Sequence, residues 1–329
     1  MLAVKRLTIV ATCLFASMIC VQAQSEDVVR INSHLVNVFF SAVDKNDKFN
    51  TVLTESDIAL YEDDIRQELF TFQKQSDRTL SIAILVDLSR SQKEKFNEQK
   101  QAALSFVKSV VSNNRDRVAL ISFGADPYLE QRLTTNIDEF ARSLERIKIL
   151  STVGYQGGGT ILPAGVQPAT GSLAYTTAVW DAIWITCKSV MSGVEPKTRR
   201  VIVIITDGED TSSRATLQEA IDRAIQDDTV VFAIGIGDPA VSGGVNKSAL
   251  KKLVAETGGQ VFFPKAGDDL NNSFKKIETE LRSQYVAVYV PQQTKNSATY
   301  RQIRIEITNP DLKRSKLHLF YRKNYYFKP

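Results

Sequence analysis

Between residues 79 and 283, short and almost wholly apolar runs alternate with longer stretches whose apolar residues recur at helical spacing, and this limits the fold more than any other feature. Ser81-Ile82-Ala83-Ile84-Leu85-Val86 is one such run, and 201–205 and 229–236 are others. A strand that is apolar on both faces has to be covered on both. The covers are predicted as helices over 96–111, 137–147, 178–191, 216–226, 248–257 and 270–283. In the first of these, Phe96, Ala103, Phe106, Val107 and Val110 share one side. Two further strands are expected at 117–123 and 260–263. The alternation predicts a doubly wound α/β domain over 79–283, a mainly parallel sheet with helices on both faces. Ligands of such sheets bind beyond the carboxyl ends of the strands.

The flanks have another texture. Residues 24–78 carry strand-like segments at 35–43, 58–61 and 68–72, and residues 284–329 carry others at 285–290, 301–308, 316–321 and 325–327. Neither flank has enough strands to close a sheet, so the expectation is one small β-sandwich made from both, with the α/β domain inserted between them. One segment interrupts the α/β rhythm. An insertion at about 151–176 holds Gly154, Gly157, Gly158, Gly159, Gly165 and Gly171 with Pro163 and Pro168, a composition found in functional or mobile loops.

Residues 1–23 read as an export signal: Lys5 and Arg6, an apolar run over 9–21 too short to span a bilayer, then Val21-Gln22-Ala23. The expected location is therefore periplasmic or extracellular, with no membrane span once the signal is removed. Cys13 and Cys20 lie in the signal, which leaves Cys187 alone in an apolar helical pattern where a buried, inert thiol is expected. His34 and His318 offer little for a zinc site or a Ser-His-Asp triad. The net charge of +4 comes from 41 basic and 37 acidic residues interleaved along the chain. The densest basic cluster, Lys313-Arg314-Ser315-Lys316, reads as a solvated turn, so nucleic acid is not an expected partner.

Chemistry concentrates where two core strands end. Asp87-Leu88-Ser89-Arg90-Ser91 follows the first, placing one carboxylate and two hydroxyls within five residues, a set suited to a hard cation such as Mg²⁺. The plainer alternative is that a serine caps the next helix while Asp87 sits in a hydrogen bond. The strand at 201–205 ends in Thr206-Asp207-Gly208-Glu209-Asp210, a second carboxylate at a carboxyl edge, with Gly208 relieving backbone crowding.

Asp87-x-Ser89-x-Ser91, a threonine opening a later helix, and Thr206-Asp207-Gly208 together resemble the metal-ion-dependent adhesion site of von Willebrand factor type A domains. The resemblance spans about residues 79–283. The phrase Tyr61-Glu62-Asp63 before the domain, and Leu281-Arg282-Ser283-Gln284-Tyr285 after it, are similar to a bacterial exported subfamily. The resemblance implies metal ligation by Asp87, Ser89, Ser91, Asp207 and a threonine. Thr177, opening Thr177-Ala178-Val179-Trp180-Asp181-Ala182-Ile183, is favoured for that role. Thr160 behind three glycines is an alternative, and Asp210 an accessory candidate. The cation implied is Mg²⁺, with Mn²⁺ or Ca²⁺ as substitutes, and the ligand a Glu or Asp side chain of a partner protein. The resemblance thus implies binding rather than catalysis. Two other readings compete. A phosphohydrolase-like metal enzyme would need a second acid where Ser89 stands, and a structural domain without metal would have no use for the full ligand set. Dinucleotide binding lacks its Gly-rich loop, since no glycine lies between Asp87 and Arg117.

Overall fold

The computed structural model describes residues 35–46, 48–50, 52–75, 78–111, 115–149, 158–162, 176–195, 198–237, 244–265, 267–291 and 300–327. The export signal read at 1–23 and most of the Gly-rich insertion lie outside the described residues. In chain order the N-terminal flank forms β1 (Val36–Val43), β2 (Ile58–Glu62), β3 (Ile65–Gln67) and β4 (Leu69–Gln75). The central block begins with β5 (Leu80–Asp87), α1 (Phe96–Val110), β6 (Arg117–Phe123), β7 (Pro127–Thr134), α2 (Ile137–Arg146) and β8 (Thr160–Ile161). It continues through α3 (Val179–Thr186), β9 (Arg199–Thr206), α4 (Leu217–Gln226), β10 (Thr229–Gly235), α5 (Lys247–Thr257), β11 (Val261–Phe262) and α6 (Gly267–Ser283). The C-terminal flank is β12 (Gln284–Tyr289), β13 (Tyr300–Ile307), α7 (Pro310–Arg314), β14 (His318–Tyr321) and β15 (Asn324–Tyr326).

The central sheet has the order β11-β10-β9-β5-β6-β7-β8. β11, β10, β9, β5 and β6 are parallel, while β7 runs antiparallel to β6 and β8 antiparallel to β7. All eight residues of β5 are buried, because successive side chains leave the strand on opposite faces and both faces are covered. Ile82, Ile84 and Val86 pack with Phe106, Phe140, Phe274 and Ile277 of α1, α2 and α6. Ala83 and Leu85 pack on the other side with Ile183, Ile221 and Leu250 of α3, α4 and α5. The sheet is thus a doubly wound α/β layer with an antiparallel hairpin at one edge. Periodicity assigns no element to 124–136, yet this segment holds β7. Its Glu130, Gln131 and Arg132 mask the β pattern on an edge-side strand that is only half covered.

The two flanks pair with each other. β1 lies between β12 and β14, and β4 pairs with β12. β13 lies between β2 and β15, and β3 pairs with β2. The two four-stranded sheets enclose one core in which Val38, Phe40, Tyr285 and Tyr289 of the first meet Leu60, Ile303, Ile305 and Tyr325 of the second. Glu62, from the Tyr61-Glu62-Asp63 phrase, lies inside this core. It accepts hydrogen bonds from Tyr289 (2.5 Å) and Tyr325 (2.6 Å) and pairs with Arg301. Burial and the Glu62 carboxylate push both tyrosine hydroxyls above their ordinary range. Asp63 and Asp64 make the β2–β3 turn with φ of 47° and 64°, the pair of positive φ angles that a tight hairpin requires. Lys313–Lys316, expected as a turn, closes the short helix α7, which Asn309 caps through Asp311 N at 2.9 Å, and its four residues are exposed.

Candidate metal centre

β5 and β9 run side by side and parallel, in register from Leu80↔Arg199 to Val86↔Ile205. Their next residues, Asp87 and Thr206, therefore meet at the carboxyl edge, where Thr206 Oγ1 donates to Asp87 Oδ2 at 2.7 Å. Asp87 Oδ1 accepts from Ser89 N at 2.8 Å, and this bends the chain back over the strand end. A single 3₁₀ turn, Arg90–Gln92, then leads into α1. Neither serine caps a helix: the 3₁₀ turn has no side-chain cap, and α1 opens after Lys95, which also caps nothing. The serine hydroxyls instead face each other, with Ser89 Oγ and Ser91 Oγ 2.9 Å apart. Ser89 is buried and Ser91 half-buried.

Several residues outside the predicted ligand set hold this loop in place. Gln92 is fully buried, donates to the carbonyl of Ile236 (2.9 Å) and accepts from Gln99 (2.8 Å), so it ties the serine turn to the end of β10 and to α1. Asp207, also buried, accepts from Glu209 N at 3.0 Å, while its carbonyl accepts from Asn246 N at 2.7 Å. Gly208 adopts φ +77°, the left-handed conformation that glycine tolerates best. Gly237 lies so close that a Cβ there would stand 2.8 Å from Asp207 Cβ, so the loop after β10 can close on Asp207 only through glycine. The sequence showed Thr206 only as part of the Thr206-Asp207-Gly208 phrase, with no role of its own, and gave no part to Gln92 or Gly237. Their signal was position: each stands within two residues of a strand end or of a ligand candidate.

Thr177 is buried and lies at the same edge. Its amide donates to Thr211 Oγ1 (2.8 Å), its carbonyl accepts from Thr211 N (2.9 Å), and the next amide, Ala178 N, donates to Gly124 O at the end of β6 (2.7 Å). It therefore bridges the end of β6 and the loop that follows Asp207. Asp210 acts at the start of α3: its Oδ1 accepts from Val179 N (2.8 Å), Trp180 N (3.3 Å) and Ser213 Oγ (2.5 Å). Asp181 returns the bond by accepting from Ala215 N at 2.8 Å. Thr160 is elsewhere. It is exposed on β8, paired with Leu129 of β7 and three strands from β5, or about 14 Å across the sheet.

Asp87 is fully buried, and its carboxyl is pushed up to about 7, first by burial and then by the nearby Asp207 carboxylate; hydrogen bonds from Ser89 and Thr206 oppose the shift. Among the described residues no basic side chain pairs with either acid. Two buried carboxylates without a counter-ion are unfavourable, and a divalent cation relieves that directly. The hydroxyls fit the same ion. Ligands at about 2.1 Å on adjacent corners of an octahedron are about 3.0 Å apart, close to the Ser89–Ser91 separation. Ser89, Ser91, Asp87 and Asp207, with Thr177 across the edge, are thus an all-oxygen donor set suited to a small hard cation.

The family model described as von Willebrand factor type A domain matches residues 81–276. A search of curated proteins gives no match. Among solved structures the chain is similar to the conserved hypothetical protein BatB from Bacteroides thetaiotaomicron, at 18% identity over 62% of this chain and 100% of that one, with a TM-score of 0.46. It is also similar to an aerotolerance-related membrane protein from Bacteroides fragilis, at 18% identity over 61% and 99% of the two chains, with a TM-score of 0.43. Proximal thread matrix protein 1 from the mussel byssus, solved with a zinc-occupied MIDAS motif, matches at 17% identity over 64% of this chain and 50% of its own, with a TM-score of 0.46. The family match runs through the strands that end in Asp87 and Asp207 and takes in more than half of the 329 residues, so the chain belongs to the von Willebrand factor type A domain family.

Proposed function

We propose that this chain is an exported, non-enzymatic binding protein that holds Mg²⁺, or Mn²⁺ or Ca²⁺ in its place, at Asp87, Ser89, Ser91, Thr177 and Asp207. Through that ion it takes a Glu or Asp side chain of a partner protein. The observation that carries the reading is the pair of serine hydroxyls 2.9 Å apart beside two buried carboxylates that, among the described residues, no basic side chain pairs with. When bound, the cation supplies an electrophilic centre for an incoming carboxylate, because hydroxyl ligands do not neutralise its charge. The protein's own part is to fix the donors: Thr206 and the Ser89 amide orient Asp87, Gln92 anchors the serine turn, and Gly237 lets the next loop close on Asp207. A phosphohydrolase would need an acid two residues after Asp87, where Ser89 stands. Among the described residues no helix is long and apolar enough to cross a membrane.

Titration calorimetry of the full chain with MgCl₂ tests the site. Wild type should bind one ion, and Asp87→Ala should weaken binding at least tenfold; equal affinity would remove the assignment. A pull-down from the native envelope or medium should then yield a partner with Mg²⁺ and none with chelator.

A further inference from the structure

At the opposite end of the central sheet, where β9 begins, a partly enclosed cavity of about 30 Å³ lies between the α/β domain and the sandwich, within one compact unit of the chain. Arg78, Arg199, Arg322, Asp228 and Gln284 line it. Arg199 is only 6% exposed. Its Nη1 donates to Leu281 O at 3.0 Å, whereas Nε and Nη2 have no acceptor among the described residues. Arg322 pairs with Asp228 through Nη1 and donates Nη2 to Asn37 O at 2.9 Å, but its Nε is likewise without an acceptor. Arg78 stacks on the Phe39 ring at 5.0 Å. Among the described residues, three guanidinium groups therefore converge on a space lined by one carboxylate, Asp228, which already pairs with Arg322.

The nearest further acid does not make up the deficit. Glu280 accepts from Ser41 Oγ (2.8 Å), Gln260 Nε2 (2.7 Å) and the Gln284 amide, and burial pushes its carboxyl up to about 7. It makes no ion pair with Arg199. A buried cation with unused donors and only partial compensation, from Glu280, is disfavoured. Water could accept from the guanidiniums but would leave their charge uncompensated. Each water needs about 10–15 Å³ of such space, so the cavity has room for two bodies of that size. Gln284 Oε1, which lacks a donor among the described residues, requires that one of them be able to donate.

We infer that this cavity is a halide site: one chloride-sized monovalent anion bound by Arg199 and Arg322, with one water that donates to Gln284. The space of about 30 Å³ suits a monatomic anion better than a carboxylate or phosphate. The depression of the Arg199 guanidinium to about 10, by burial and then offset in part by Glu280, fits a cation short of compensation. The anion would bind the start of β9 to the C-terminal strands of the sandwich, and so make the joint between the two layers sensitive to halide. This inference does not depend on the metal site.

Two measurements on the full chain test it. In crystals soaked in sodium bromide, anomalous scattering at the bromine edge should give a peak inside the cavity beside Arg199 and Arg322. Density there that scatters only as water would overturn the proposal. In solution at constant ionic strength, replacing sodium gluconate with sodium chloride should raise the melting temperature saturably, on the order of 5 °C once chloride exceeds its Kd about a hundredfold. Arg199→Met should abolish that rise. A chloride effect of the same size in Arg199→Met would place the anion elsewhere and overturn the assignment. Should the variant fail to fold, the bromide measurement on wild type decides alone.

Discussion

Thr206 shows how much of the candidate site rests on residues outside its donor set. Its hydroxyl holds Asp87 Oδ2 at 2.7 Å while the Ser89 amide holds Oδ1, so the carboxylate has one orientation. Thr206→Val keeps the shape and removes the donor; Mg²⁺ affinity measured by calorimetry should fall about tenfold to a hundredfold, as for other residues that orient a metal ligand. Unchanged affinity would mean that Asp87 is fixed by its backbone alone. The two candidate threonines separate in the same assay. Thr177 lies buried between the end of β6 and the loop after Asp207, whereas Thr160 is exposed three strands from β5. Thr177→Ala should weaken the ion and Thr160→Ala should leave it within about twofold. The reverse result would assign the fifth ligand to the Gly-rich insertion. Cys187, by contrast, plays no chemical part: it is fully buried and its thiol is pushed up to about 12 by that burial, so thiol reagents should label it only after unfolding.

At the scale of elements, α6 carries a group that couples the α/β layer to the sandwich. Glu280 on α6 accepts from Ser41 on β1 and is fully buried, and its carboxyl rises from an ordinary 4.5 to about 7, mainly through burial. A carboxyl whose pKa is raised on folding favours the folded state while protonated. Its contribution is complete below the unfolded value near 4.5 and is lost as pH rises towards about 7. The loss amounts to about 3 kcal/mol at most. Urea unfolding of wild type and Glu280→Gln at pH 5 and pH 8 should show the variant gaining relative to wild type at the higher pH. A difference independent of pH would show that Glu280 does not titrate in this interval. The elements themselves differ in how plainly they could be read. β5, β9 and β10 are legible because both of their faces are covered, so the runs 82–86, 201–205 and 230–234 are wholly apolar. β7 is not, because an antiparallel strand near an edge keeps Glu130, Gln131 and Arg132 among its apolar positions. The start of α3 is not legible either. Ala178 gives it no cap, and Asp210, some thirty residues later, supplies the acceptor. The same distinction applies to the site. Carboxylates at strand ends are visible in one dimension, whereas Gln92, which reaches Ile236 across 144 residues, and Gly237, which makes room for Asp207, have meaning only once β5, β9 and β10 lie side by side.

For the molecule as a whole, the two flanks are halves of one structure although more than two hundred residues separate them. β1 is hydrogen-bonded to β12 on one side and β14 on the other, and β2 lies between β3 and β13. Removing residues 284–329 would take β12, β13, β14 and β15 away together. It would leave Val38, Phe40 and Leu60, now at most 1% exposed, open to solvent, and both edges of β1 unpaired. Such strands are templates for association. The buried Glu62 would lose Tyr289, Tyr325 and Arg301 at the same time. The truncated chain should therefore aggregate, or be cleaved by protease first within residues 35–75, where full-length protein resists. Residues 79–283 alone should behave otherwise, because both faces of their seven-stranded sheet are covered by their own helices. They should remain monomeric and keep Mg²⁺ binding, since all five ligand candidates lie within them. They should nonetheless melt below the full chain, because Arg199, Gly258 and Glu280 would lose the packing that β1, Gln284 and Arg322 now provide. Size-exclusion chromatography and thermal melting of the two fragments beside the full chain check both outcomes. A soluble, protease-resistant product of the 284–329 deletion would show that the N-terminal strands can stand without their C-terminal partners.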